Sequence, residues 1–225
     1  MVLPGAAQRA QIMKIDFVSD VSCPWCAIGL KSLEQALARV PELQVDLHFQ
    51  PFELNPQMAP EGEEINAHLA RKYGAGPEQM AQTREMIRER GAALGFTFTK
   101  GARDRIYNTF DAHRLLHWAG IKGGEAQKTL KHALLKAYFT EGKNPGDTEV
   151  LLEAATAAGL DATEAAEVLA SGRYADEVRQ AEAFWQSQGI NSVPAIIINE
   201  RHLISGGKTP EVFEQALRQI AQQMP

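Results

Sequence analysis

The chain has 225 residues, 44% of them hydrophobic and 23% charged, which is enough apolar material for a core that needs no disulfide staples. Its formal net charge of −5, from 23 basic and 28 acidic residues, argues against a nucleic-acid surface. No apolar run approaches the roughly 18 residues of a membrane span, so neither a nucleic acid nor a membrane is an expected partner.

Residues 1–12 lack the continuous apolar stretch of a secretory signal and are read as an N-terminal extension before Met13. With only two cysteines in the chain, this points to a reducing cytoplasm. Met13, Ile15 and Phe17 alternate with Lys14 and Asp16, the period of a half-buried strand. Cys23-Pro24-Trp25-Cys26 comes next. Cys26, Leu30, Leu33 and Leu37 then recur at helical spacing. This places Cys26 on a buried helix face and leaves Cys23 at the helix start, where its side chain is expected to be accessible. Pro41 stops the helix, and Val45, Leu47 and Phe49 alternate with polar residues in a second strand, completing a βαβ unit.

The period then changes. Glu63 to Tyr73, Glu78 to Leu94, Asp104 to Ala119, Ala126 to Phe139, Thr148 to Ala158, Ala162 to Leu169 and Tyr174 to Gln188 are predicted helices, with Gly or Pro at nearly every junction. Asp147 fits an N-cap, and Asp161 with Glu164 fits a capping box. Trp118, Trp185, Phe139 and Phe184 are expected in the core, and Arg84, Arg88 and Arg90, interleaved with Glu85 and Glu89, on a solvated helix face. Strand character returns at Ala195–Ile198 and His202–Ile204 around an Asn199–Arg201 turn, and Pro210 to Ile220 forms a last amphipathic helix. The predicted order is βαβ, a helical block, then ββα. One domain is thus split in sequence, 13–57 plus 190–225, around a helical insertion at 58–189.

A C-x-x-C pair between a strand and a helix has the context of a thioredoxin-like redox motif. The attacking species in thiol exchange is the thiolate, and the unpaired amides of a helix N-terminus favour the anion of Cys23. A fall in pKa from about 8.5 to roughly 6 raises the thiolate fraction at pH 7 from about 3% to about 90%, but nucleophilicity falls with pKa, leaving only a two- to threefold gain or so in attack. The spacing places Cys26 one turn away, within reach of a disulfide. Pro24 suits a first helical turn, and Trp25 supplies a flat apolar surface for a substrate but no imidazole beside the thiolate. Ser192-Val193-Pro194 precedes a strand; a cis Pro194 facing Cys23 would present the Val193 backbone for β-type pairing with a substrate.

The dithiol, Ser192-Val193-Pro194 and the helical block between them resemble the DsbA-like thioredoxin-fold oxidoreductases. Asp16-Phe17-Val18-Ser19-Asp20, Pro51-Phe52-Glu53-Leu54-Asn55-Pro56 and Asn108-Thr109-Phe110-Asp111-Ala112-His113-Arg114-Leu115 further resemble the FrnE-type subgroup. The resemblance, from Lys14 to the C-terminus, implies an α/β thioredoxin fold with a mixed sheet and a large all-helical insertion. It also implies Cys23 as nucleophile, Cys26 as resolving thiol and Pro194 in cis. The implied activity is disulfide exchange on a protein or small-molecule disulfide or dithiol, with no metal or organic cofactor and with glutathione as a redox partner to test.

Three other readings stand beside this one. Glutathione-dependent isomerases and transferases of similar split fold act on small aromatic or polyketide-like molecules, but carry serine where Cys23 stands. A non-catalytic binding or holdase protein would leave the thiols unreactive. Zinc could draw on Cys23, Cys26, His113 and His117, although the gap from Cys26 to His113 far exceeds that of a finger. His113 is read as a helix residue hydrogen-bonded locally and Asn108 as an N-cap or turn residue, both with site lining as the alternative role.

Overall fold

The computed structural model of the protein describes residues 12–224; of the N-terminal extension only Ile12 falls within it. β1 (Ile12–Ser19) is followed by α1 (Pro24–Ala38) and β2 (Gln44–Pro51). Then come β3 (Glu63–Glu64), α2 (Ile65–Tyr73), α3 (Pro77–Ala93), β4 (Arg105–Ile106), α4 (Phe110–Lys122), α5 (Gly124–Phe139), α6 (Thr148–Ala157), α7 (Ala162–Ser171) and α8 (Ala175–Ser187). β5 (Ala195–Ile198), β6 (His202–Ser205) and α9 (Pro210–Ala221) close the described chain.

The main sheet has the order β2-β1-β5-β6 and is mixed. β1 runs parallel to β2, with Ile15 opposite Leu47, and antiparallel to β5, with Phe17 opposite Ile196. The central strand β1 is buried on both faces, which its continuous run Ile15–Ser19 of buried residues reflects. The core on α1 and α9 joins Leu30, Leu33, Phe213 and Leu217 to Phe17 and Ile196. A second core, around Leu115, Leu130, Leu134, Leu151 and Val168, holds α4 to α7 together and includes Val21, from the loop that leads into the cysteines. This is the thioredoxin arrangement, with its strands drawn from both ends of the chain.

The Gln127 side chain of α5 bonds the backbone of edge strand β2. The Gln127 amide accepts from the Phe49 N–H at 2.9 Å and donates to the Phe49 carbonyl at 3.0 Å, taking the place of a neighbouring strand.

Four expectations fail. Glu63, Glu64 and residues 104–106 begin no helices: Glu63 and Glu64 pair with Ile106 and Arg105, and two-residue strands carry no readable period. The Glu64 carboxylate instead caps α2, accepting from the amides of Asn66 and Ala67. Phe184 is 52% exposed, because Trp185, about 100° further round the same helix, takes the inward position. The Asp161 carboxylate accepts from the Glu164 amide, but the Glu164 side chain goes to Lys122 instead of closing the box. Cys23 is only 4% exposed, since the loop before β5 closes over it.

Candidate active site

Cys23 is the N-cap of α1, in extended backbone, and Pro24 occupies the first turn, where a missing N–H costs nothing. No side chain caps this end of the helix. The Cys23 carbonyl accepts from the amides of Cys26 at 3.1 Å and Ala27 at 3.4 Å. The helix dipole therefore leaves its positive end at the first cysteine. The Cys23 thiol points at the Val193 carbonyl, Sγ to O 3.7 Å, and the Val193-Pro194 bond is cis. α1 approaches this loop closely: a Cβ on Gly29 would lie 3.0 Å from the Pro194 ring, and one on Gly207 would lie 3.0 Å from the Trp25 carbonyl.

Both cysteines are free thiols. Their acidities diverge. Cys23 is shifted down, first by the Cys26 thiol, which can donate to its thiolate, and then by the amides of Cys26 and Trp25; burial and the Asp20 charge oppose this. Cys26 is pushed well above the ordinary thiol value by burial, then by the sharing of a proton with Cys23 and by the charge of that thiolate. The two sulfurs are thus shifted in opposite directions, Cys23 toward the thiolate and Cys26 toward the thiol.

A set of buried charges lies behind the pair. Asp20 is 1% exposed and accepts from the amides of Ser22 at 3.1 Å and Leu54 at 2.7 Å. Burial alone would raise its pKa, but His113 and these two amides outweigh burial and leave it lowered. His113 Nε2 sits 3.6 Å from Asp20 Oδ1, beyond hydrogen-bond reach, and has no closer partner among the described residues. His113 thus faces inward from α4 toward Asp20, and the local helix bond expected of it is not made by Nε2. Lys131 on α5 is 1% exposed. Burial shifts its pKa down, while the charges of Cys26, Asp20 and Cys23 pull it back up. His113 and Lys131 line one cavity of about 220 Å³ with Gln50 and Gln127.

Of the other expected site residues, Pro24 and Trp25 are half-buried beside Cys23, and the Arg90 guanidinium lies 5.3 Å above the Trp25 ring. Asn108 is committed elsewhere: it accepts from the Phe110 amide as a turn residue and donates to the Met58 carbonyl. Among the described residues no three of His, Cys, Asp and Glu converge where a metal could sit. Sequence reasoning gave no role to Asp20 or Lys131. The signal for Lys131 was a lysine within the apolar stripe of Leu130, Leu134, Leu135 and Tyr138.

Comparison with known proteins extends the picture. A model of the DSBA-like thioredoxin domain matches residues 14–218. A probable DsbA oxidoreductase from Streptomyces coelicolor is similar in structure, with a TM-score of 0.87 and 35% identity, covering 95% of this chain and 91% of its own. The Bacillus subtilis (strain 168) protein YwbO is 28% identical over 208 residues, which is 90% of this chain and 94% of that protein. The cytosolic disulfide reductase DsbM of Pseudomonas aeruginosa, solved with GSH, shares the fold at 17% identity and a TM-score of 0.62, covering 93% of this chain and 99% of its own.

Proposed function

The chain belongs to the DsbA-like thioredoxin-domain family, and on that premise we propose that it is a thiol–disulfide oxidoreductase working through Cys23 and Cys26. One observation carries the reading: the Cys23 sulfur sits at the uncapped N-terminus of α1, aimed at the Val193 carbonyl, with Cys26 fully buried one turn behind it, and the two are shifted in opposite directions. Cys23 attacks a substrate disulfide. The substrate S–S bond breaks, a Cys23–substrate disulfide forms, and the departing sulfur leaves as a thiolate that takes a proton from water. Cys26 then attacks the Cys23 sulfur and expels the second substrate sulfur, the Cys26 proton passing to that departing thiolate through water. Two electrons have passed from the dithiol to the substrate, and the reverse sequence oxidises a substrate dithiol.

The Val193 backbone and the Trp25 face are the surfaces proposed to hold the substrate, the Val193 carbonyl being already aimed at Cys23. Lys131, buried on α5, is the cation whose charge favours the Cys26 thiolate. An isomerase of similar fold would have no use for Cys26, and a holdase none for an acidified Cys23. Glutathione is the redox partner to try first, a choice supported by the DsbM structure solved with it. The FrnE-type assignment and a reducing cytoplasm belong to the same reading; no helix among the described residues is long and apolar enough to cross a membrane.

The test is mass spectrometry of reduced protein exposed to glutathione disulfide. Wild type should pass to the intramolecular Cys23–Cys26 disulfide, and Cys26→Ser should stop at a glutathione adduct on Cys23. An unmodified wild-type protein would refute the reading.

A further inference from the structure

A second recess opens next to Pro24, the residue after Cys23. Its charged walls are Arg84 and Arg88 from α3 and Lys100 and Arg103 from the segment before β4. No acidic residue lines it among the described residues. Apolar side chains, Phe98 and Phe139 among them, form part of the wall, so the cations lie beside low-dielectric material. Arg88 is paired with Glu85, and Arg84 donates to the Asn66 side-chain oxygen and lies within reach of the Glu64 charge, but Lys100 and Arg103 have no carboxylate partner among the described residues.

Arg103 ties the recess to the chemistry. Its Nη1 donates to the carbonyl of Ser22, the residue before Cys23, at 3.4 Å. Its guanidinium lies 5.5 Å from the Tyr138 ring centre and 5.1 Å from that of Phe139, contacts that hold the fork in place. The recess has a volume of about 70 Å³. A water needs roughly 10–15 Å³ by the same kind of measure, so there is room for a carboxylate and its hydration but not for a packed chain segment.

We propose that this cleft is an anion subsite for the substrate, and that the preferred substrate is a small disulfide carrying a carboxylate a few bonds from the sulfur that Cys23 attacks. The inference rests on the exchange reading above. It runs against the chain as a whole, whose net charge of −5 would repel anions. A preference for anions therefore has to come from the local cluster.

The test is single-turnover oxidation of fully reduced protein by three small disulfides: 3,3′-dithiodipropionate, 2-hydroxyethyl disulfide and cystamine, which are anionic, neutral and cationic. Each disulfide accepts two electrons from Cys23 and Cys26 and leaves as two thiols. Each rate is divided by that of dithiothreitol with the same disulfide, which removes intrinsic reactivity. The normalised anion-to-cation ratio should be on the order of ten at low salt and fall toward one at high salt. In Arg84→Glu/Lys100→Glu it should drop below one. The salt series on the unaltered protein stands on its own if that variant folds poorly. A ratio near one at low salt overturns the anion subsite alone. No reaction with any of the three disulfides overturns the oxidoreductase reading, and the subsite with it.

Discussion

Cys23 and Cys26 are one helical turn apart and are shifted in opposite directions, so they should separate under alkylation even though both are buried. Iodoacetamide should modify Cys23 first. The pH midpoint should lie below the ordinary thiol value of about 8.5, while Cys26 stays unmodified until well above it. Peptide mapping at short reaction times gives the answer, and faster labelling of Cys26 would reverse the assigned roles. Asp20 supplies a second test. Its charge opposes the Cys23 thiolate, so Asp20→Asn should lower the Cys23 midpoint further. The same change replaces one oxygen that accepts a buried backbone amide, from Ser22 or Leu54, with an amide group, at a cost of about 1–3 kcal/mol. Because the folded pKa of Asp20 is lowered, its contribution to stability is present above the usual carboxylate range and is lost as pH falls through the folded value. In Asp20→Asn that acid-side loss should shrink. Denaturant melts from neutral to acid pH measure it, and an unchanged pH profile would contradict the shift.

At the scale of elements, the close approach of α1 to the Pro194 loop makes Gly29 a lever. Alanine favours a helix interior over glycine by about 1 kcal/mol, but here its Cβ would crowd the Pro194 ring. Gly29→Ala should therefore leave stability within about 1 kcal/mol and slow disulfide exchange, because the loop that carries Val193 must move off Cys23. Stopped-flow rates beside a melt separate the two effects; an unaltered rate would mean that the loop position does not matter. The Gln127 clamp is the second lever. Gln127→Leu leaves the Phe49 N–H and carbonyl without their partner and should cost about 2–4 kcal/mol, read from urea unfolding. The long elements were legible in the sequence because their periods repeat: Ile15 and Phe17 in β1, Leu30 and Leu33 in α1. β3 and β4 were not, since two residues hold no period and their pairing is set by distant chain.

At the scale of the whole molecule, the proposed redox pair could be read from spacing alone, but its surroundings could not. The motif Cys23-Pro24-Trp25-Cys26 and the Val193-Pro194 step are local in sequence. The burial of Cys23 is not local, because it depends on a loop that arrives 170 residues later. Asp20, His113 and Lys131 come from a loop and two different helices, and only packing of the helical block against the sheet brings them to one place. The central claim is that these two thiols form a working redox couple. Equilibration of the protein with glutathione redox buffers, with the Cys23–Cys26 disulfide quantified by mass, tests it most directly. Trp25 supplies no charged donor to the thiolate, so the couple should titrate between about −270 and −180 mV. Thiols that remain unpaired across the whole range would contradict the account.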